Sequence, residues 1–251
     1  MILEALDYAA SLPLTPSPFR RHIAASVSLL ARARRCEKAW APHEEMSQAH
    51  VLDTVKAMRQ RRTAVVLGSG LLRDVPVAAL AKSFDTVVLV DLVHLASVRL
   101  RLSARRLRQV RLIHRDLSGL EAALAGEAPE PLAFLRQVPY LDLVVSANLL
   151  SQIGVGARMA LETSGRAEAV HTILPQLAAA HLSGLAALPC RTCLITDVSY
   201  RVLSRDGSVL EEDDLLCGVP VPDHRKSWDW TVAPFGEQGP HQQAVHRVIA
   251  A

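Results

Sequence analysis

The chain has 251 residues, half of them hydrophobic, with 28 Lys and Arg against 25 Asp and Glu, a net charge of +3. That length suits one large α/β domain with a helical appendage, and the composition supports a large core. The charge is too balanced to argue for a nucleic-acid partner, no apolar run reaches the ~18 residues of a membrane span, and Met1–Ala10 carries Glu4 and Asp7 but no basic leader stretch, so a cytoplasmic protein is expected.

Residues 1–60 read as a helical cap. Ile2, Leu3, Leu6 and Ala9-Ala10 have helical spacing, and Pro13, Pro16 and Pro18 then break the chain. Ser17-Pro18 starts a second helix whose stripe is Ile23, Val27, Leu30 and Ala31, with Arg32, Arg34, Arg35 and Lys38 toward its end. Trp40-Ala41-Pro42-His43 is expected to be a break, after which Ser47 caps a helix through Val51, Val55 and Met58.

Residues 61–251 read as the α/β body. Thr63–Leu67 is an apolar, β-branched strand that ends in Gly68-Ser69-Gly70. A helix is expected over Asp74–Ser83, and a second strand, Thr86–Val90, ends in Asp91. An arginine-rich helix passes through Ala96, Val98, Leu100, Leu102 and Leu107. A third strand, Val110–Asp116, ends in an acid, and a fourth runs from Leu141 to Asn148. A long helix covers Arg166–Leu188 and a fifth strand Thr192–Val198. Strands alternating with helices call for a mostly parallel sheet. The tail changes character. Tyr200–Leu203 and Ser208–Leu210 flank an Asp-Gly turn, and Trp228–Val232 and Ala244–Ile249 alternate, as antiparallel strands do.

The first unit has a chemical meaning. Glycines let backbone N–H groups approach a ligand at the turn after a strand. An acid at the tip of the next strand can accept from two ribose hydroxyls. Gly70 and Asp91 are 21 positions apart, near the ~20 expected of such a device.

In element order, residues 60–251 resemble the class I S-adenosylmethionine-dependent methyltransferases. The resemblance implies a Rossmann-like fold with a mostly parallel seven-stranded sheet, an antiparallel C-terminal hairpin and S-adenosylmethionine as cofactor. It implies cofactor contacts from Gly68, Ser69, Gly70, Asp74, Asp91, Leu92, Asp116, Leu117 and Asn148. Val66 stands where the family often has an acid, and Leu72 where a third glycine is common. The implied activity is methyl transfer to a small-molecule or peptide acceptor, and a homodimer is compatible with it. Two alternatives stay open: an NAD(P)-dependent oxidoreductase, whose fingerprint would want a small residue where Arg73 stands, and a non-catalytic partner protein on the same fold.

Asn148 and Gln152, after the fourth strand, are candidates for orienting the acceptor through amide hydrogen bonds, or for capping the next helix. No proline or aromatic residue follows Asn148, which removes support for DNA and glutamine methylation. Tyr200 is a third catalytic candidate, with Trp228 and Trp230 as pocket walls. His43, His171, His181, His224, His241 and His246 are scattered and read as surface or satisfied polar groups. Cys36, Cys190, Cys193 and Cys217 lack paired metal spacing, so no metal site is expected. The helical cap is expected over the mouth of the cofactor cleft, with Trp40 and His43 toward the acceptor; packing on a sheet face or a dimer contact is the alternative.

Overall fold

The computed structural model describes residues 2–251. The N-terminal region forms α1 (Ile2–Ser11), α2 (Ile23–Arg35) and α3 (Glu37–Lys56), with a 3₁₀ segment, Ser17–His22, leading into α2. The body then alternates β1 (Thr63–Leu67), α4 (Val77–Ser83), β2 (Thr86–Asp91), α5 (Ala96–Ala104), β3 (Val110–His114), α6 (Leu120–Leu124), β4 (Leu141–Ala147), α7 (Leu150–Thr163), α8 (Val170–Ala186) and β5 (Arg191–Ser204). β6 (Val209–Asp214), β7 (Lys226–Ala233) and β8 (Gln242–Ala250) finish the chain.

The sheet order is β3-β2-β1-β4-β5-β8-β7. β1 to β5 are parallel, and β8 runs antiparallel to both β5 and β7. This is the Rossmann-like methyltransferase arrangement, an open sheet with one reversed strand near its end. Seven strands form the main path; β6 is an eighth, paired antiparallel to the outer half of β5. The Asp-Gly turn joins β5 and β6 as expected, with Gly207 at φ +88°.

β1 is buried along its whole length, which is why it reads as an unbroken apolar run. One sheet face offers Ala64, Val66, Leu143 and Val145 to Val51, Val55 and Trp40 of α3. The other offers Val65, Leu67 and Val144 to Leu185 of α8. The second half of α3 therefore belongs to the same core as the sheet.

Several boundaries differ from expectation. α3 runs unbroken through Trp40–His43 although Pro42 lies inside it. Pro42 forgoes one helix hydrogen bond, but tertiary contacts hold the segment, with the Trp40 indole donating to the Val232 carbonyl at 3.0 Å. Ser47 is no cap; it is fully buried in mid-helix. α4 begins at Val77 rather than Asp74, because Pro76 sets its start. Asp116 lies beyond the end of β3. α7 has a continuous buried stripe, Leu150, Ile153, Ala157 and Leu161, but Gly154 and Gly156 lower its helix propensity and mask it in the sequence. α8 is shorter than Arg166–Leu188, and β5 continues past Val198 to Ser204 to meet β6.

Candidate functional site

Ligands of open α/β sheets sit outside the carboxyl ends of the parallel strands. At the tips of β1 and β2 the chain makes a self-consistent turn. Gly68 and Ser69 donate backbone N–H groups to the Val90 carbonyl at 3.0 and 3.4 Å. The Asp91 carboxylate accepts from Gly70 N at 2.7 Å and from Leu92 N at 2.7 Å. Burial pushes the Asp91 pKa up, and its bonds from Gly70, Val93 and Leu92, with the nearby His114, pull the other way.

The two glycines have different reasons to be glycine. A Cβ on Gly68 would come within 2.7 Å of the Leu149 Cβ, so packing inside the chain excludes a side chain. A Cβ on Gly70 would meet nothing closer than 3.8 Å, so this backbone has open space for a ligand. Leu72, where the family often has glycine, holds φ +58°, a left-handed conformation that costs a non-glycine residue ~1–2 kcal/mol. Asp116 is exposed and accepts from Ser118 N at 2.7 Å, while Leu117 is buried in the core.

The N-terminal region covers this side. Asp7 Oδ1 accepts from Ser97 N at 3.0 Å and Ser11 Oγ from Ala96 N at 2.8 Å, so α1 supplies the cap that α5 lacks in its own sequence. The Phe19 ring stacks on His114 with centroids 6.2 Å apart. His94, fully buried, pairs with the Ile113 carbonyl, and burial lowers its pKa to about 4.

The tips of β4 and β5 hold a second polar cluster. Asn148 turns the chain out of β4 at φ +50°, a conformation that asparagine tolerates. Its Nδ2 lies 2.9 Å from His43 Nε2 and 2.9 Å from Asp74 Oδ2. His43 accepts from the Trp228 indole at 3.0 Å and stacks on Trp230 at 4.0 Å. Desolvation lowers the His43 pKa to about 4. Burial raises that of Asp74 against the pull of Asn148 and Arg73, even with the side chain 30% exposed.

Beside these, His246 Nδ1 lies 2.5 Å from Asp197 Oδ2. The His246 ring faces Trp230 at 6.0 Å and Tyr200 at 5.7 Å. The pairing depends on a bulge. Asp197 and Tyr200 are three residues apart and would face opposite ways in a regular strand. A register shift between Asp197 and Ser199 resets the alternation, so Asp197 pairs with Val248 and Tyr200 with His246. Val248 and His246 share a face, and so Asp197 reaches His246.

Six buried polar atoms gathered on the elements of this edge have no partner: Ser69 Oγ, His94 Nδ1, Asn148 Oδ1, Asp197 Oδ1, Trp230 Nε1 and Ser47 Oγ, one turn on from His43. Buried polar atoms are normally paired, so these six are exceptions, and Arg61 Nε and His181 Nδ1 are others elsewhere.

The structure brings together Gly70, Asp91 and Leu92 on one side and Asp74 and Asn148 on the other. Gln152 is exposed on α7 and makes no hydrogen bond to the cluster. Tyr200 gives its hydroxyl to Glu211 of β6, which pushes its pKa up to about 12. His43 lines the Asn148 side, whereas Trp40 meets Trp230 edge-on at 5.3 Å. The His246–Asp197 pair is absent from the sequence reading.

No protein-family model matches the chain, and no curated protein does. Some solved structures resemble it at low identity. A DhpI–SAM–HEP complex is 14% identical over 88% of this chain and 92% of its own, with a TM-score of 0.37. The N-methyltransferase NodS from Bradyrhizobium japonicum WM9, with S-adenosyl-L-homocysteine, is 12% identical over 83% and 87%, TM-score 0.38. The mitomycin 7-O-methyltransferase MmcR is 17% identical over 94% of this chain and 58% of its own, TM-score 0.33. At such identities and TM-scores these likenesses decide neither cofactor nor acceptor.

Proposed function

We propose that the chain is an S-adenosylmethionine-dependent methyltransferase acting on a small-molecule or peptide acceptor. The observation that carries this reading is the pairing, at one sheet edge, of an acid-tipped glycine turn with a histidine–carboxylate pair. The residues fit the cofactor. Gly70 leaves room for close approach, Ser69 Oγ is buried without a partner, and Asp91 stands at the tip of β2 for ribose hydroxyls. Asp116 and Leu117 follow β3, where the resemblance puts the adenine. When bound, the cofactor supplies a sulfonium methyl group.

The remaining work falls to the chain. His246, with Nδ1 held by Asp197, presents Nε2 to take a proton from the acceptor. Trp228, Trp230 and His43 wall the site and exclude water. Asn148 orients the acceptor by one amide end. Tyr200 does not serve as base, because its proton is held by Glu211.

Calorimetric titration with S-adenosylmethionine, S-adenosylhomocysteine and NAD(H) tests the reading. Both sulfur nucleosides are expected to bind, and NAD(H) not to. Dinucleotide binding alone would instead establish the oxidoreductase. Nucleoside binding with no transfer to any acceptor would instead favour the non-catalytic partner.

A further inference from the structure

The Asn148 carboxamide sits between two groups that make opposite demands on it. As placed, Nδ2 faces both His43 Nε2 and Asp74 Oδ2, at 2.9 Å each, while Oδ1 is buried without a partner. The two ends of a carboxamide are alike in shape, so partners decide which way it faces. The deciding partner is Trp228, because an indole N–H can only donate. It lies 3.0 Å from His43 Nδ1, so that nitrogen offers a lone pair and carries no proton. A neutral imidazole then has its N–H on Nε2.

That N–H needs an acceptor, and an amide nitrogen is not one. Asp74 Oδ1, at 3.6 Å, is beyond hydrogen-bond reach. Turning the amide over puts Asn148 Oδ1 against His43 Nε2 and, at once, against Asp74 Oδ2. Two oxygens 2.9 Å apart form a bond only with a proton between them.

We propose that Asp74 carries a proton in the folded protein, and that Asn148 turns its oxygen to His43 and Asp74 and its NH₂ toward the ligand. The bonds among Trp228, His43, Asn148 and Asp74 are then matched, and the amide NH₂ takes the position that has no protein partner. Trp228 donates to His43, while His43 Nε2–H and the Asp74 hydroxyl donate to the two lone pairs of one amide oxygen. The atom of Asn148 left for the ligand becomes a donor, which suits an oxygen lone pair on the bound molecule rather than an N–H. This last step rests on the methyltransferase reading; the proton on Asp74 does not.

The charged neighbours of Asp74 divide: Arg73 favours the ionised carboxyl and Asp197 the protonated one. Arg73, its cationic neighbour, is held by Glu44 of α3 at 2.5 Å. Asp197, across the cluster from β5, disfavours a second negative charge. Burial acts in the same direction on Asp74 and keeps His43 neutral.

Nuclear magnetic resonance of the ligand-free protein at pH 7 tests the assignment directly. The expected result is a protonated Asp74 carboxyl carbon and a His43 ring protonated at Nε2 only. A thermal series adds a sign. A carboxyl whose pKa is raised by folding keeps a proton that the unfolded chain releases above ~pH 4, so stability falls as pH rises from there toward the folded pKa. Asp74→Asn escapes that loss. It is expected to melt roughly 8–16 °C above the parent at pH 7, because about three pH units of linkage separate the two, with the gap closing below ~pH 4. An ionised Asp74, a proton on His43 Nδ1, or a lower melting point for Asp74→Asn at pH 7 would overturn the proposal. Should the variant not fold, the resonance result on the parent decides. None of these measurements uses cofactor or activity, so the outcome is independent of whether methyl transfer is observed.

Discussion

The two halves of the site are built by opposite means. Around Gly70 and Asp91 the bonds are local: the carboxylate takes N–H groups 21, 1 and 2 positions away. Around Asn148 they cross the chain, with His43 105 residues away, Trp228 185 from His43, and His246 49 from Asp197. A local device tolerates change elsewhere in the molecule. A device assembled from α3, β4, β5, β7 and β8 exists only when all of them are in place. In the proposed function the first half holds a nucleoside and the second handles a proton, so the two should fail differently.

The largest expected effect is on chemistry alone. His246→Ala removes the base and should lower kcat by about 10²–10⁴-fold, with S-adenosylhomocysteine affinity unchanged in calorimetry. A kcat within twofold of the parent would erase the functional distinction between the halves.

The glycine pair comes next. Gly68→Ala sets a Cβ against Leu149 at φ +68° and should cost about 3 kcal/mol of stability. Gly70→Ala has room for its Cβ and should cost only ~1–2 kcal/mol of backbone strain, yet lose cofactor binding. Chemical denaturation and titration of both variants would show it; equal losses of stability would merge the two roles.

Asp91→Ala should weaken the nucleoside cofactor roughly ten- to hundredfold, since charge-assisted hydrogen bonds are worth about 1.5–3 kcal/mol. Unchanged affinity in a folded variant would remove Asp91 from the ribose. The smallest effect is at Leu72. Leu72→Gly relieves the left-handed strain but frees the unfolded chain and gives up a half-buried side chain packed on the core, so the three nearly cancel, within about 0.5 kcal/mol of the parent and a melting shift of no more than roughly 1–2 °C.

The same contrast explains what could be read in advance. The parallel strands, the Gly68-Ser69-Gly70 turn and Asp91 follow from runs, spacing and turn chemistry within thirty-odd residues. So do the tail strands and the Asp-Gly hairpin. Asp197 and His246 could not be paired, because alternation along β5 puts Asp197 on the wrong face until the bulge is known. His43 looked like part of a break because Pro42 is a local signal, and the indole bonds that overrule it come from β7. Tyr200 was read by position alone; the acid on β6 that takes its proton lies across a hairpin. Ser11 and Asp7 act as a cap for a helix 85 and 90 residues away, which no capping pattern could show.

The anchoring of α3 also bears on the order in which the molecule can be completed during synthesis. α3 is made well before the strands it closes on, with Trp40 bonded to Val232, His43 to Trp228 and His50 to the Ala251 carbonyl. Until the last strands emerge, these groups lack the partners that β7 and the end of β8 supply, and part of the apolar side of α3 waits uncovered beside a growing sheet. At ~5–20 residues per second that wait is on the order of ten seconds or more. The growing chain is thus open to chaperones, and to misassembly, through a helix made long before the strands that complete its contacts.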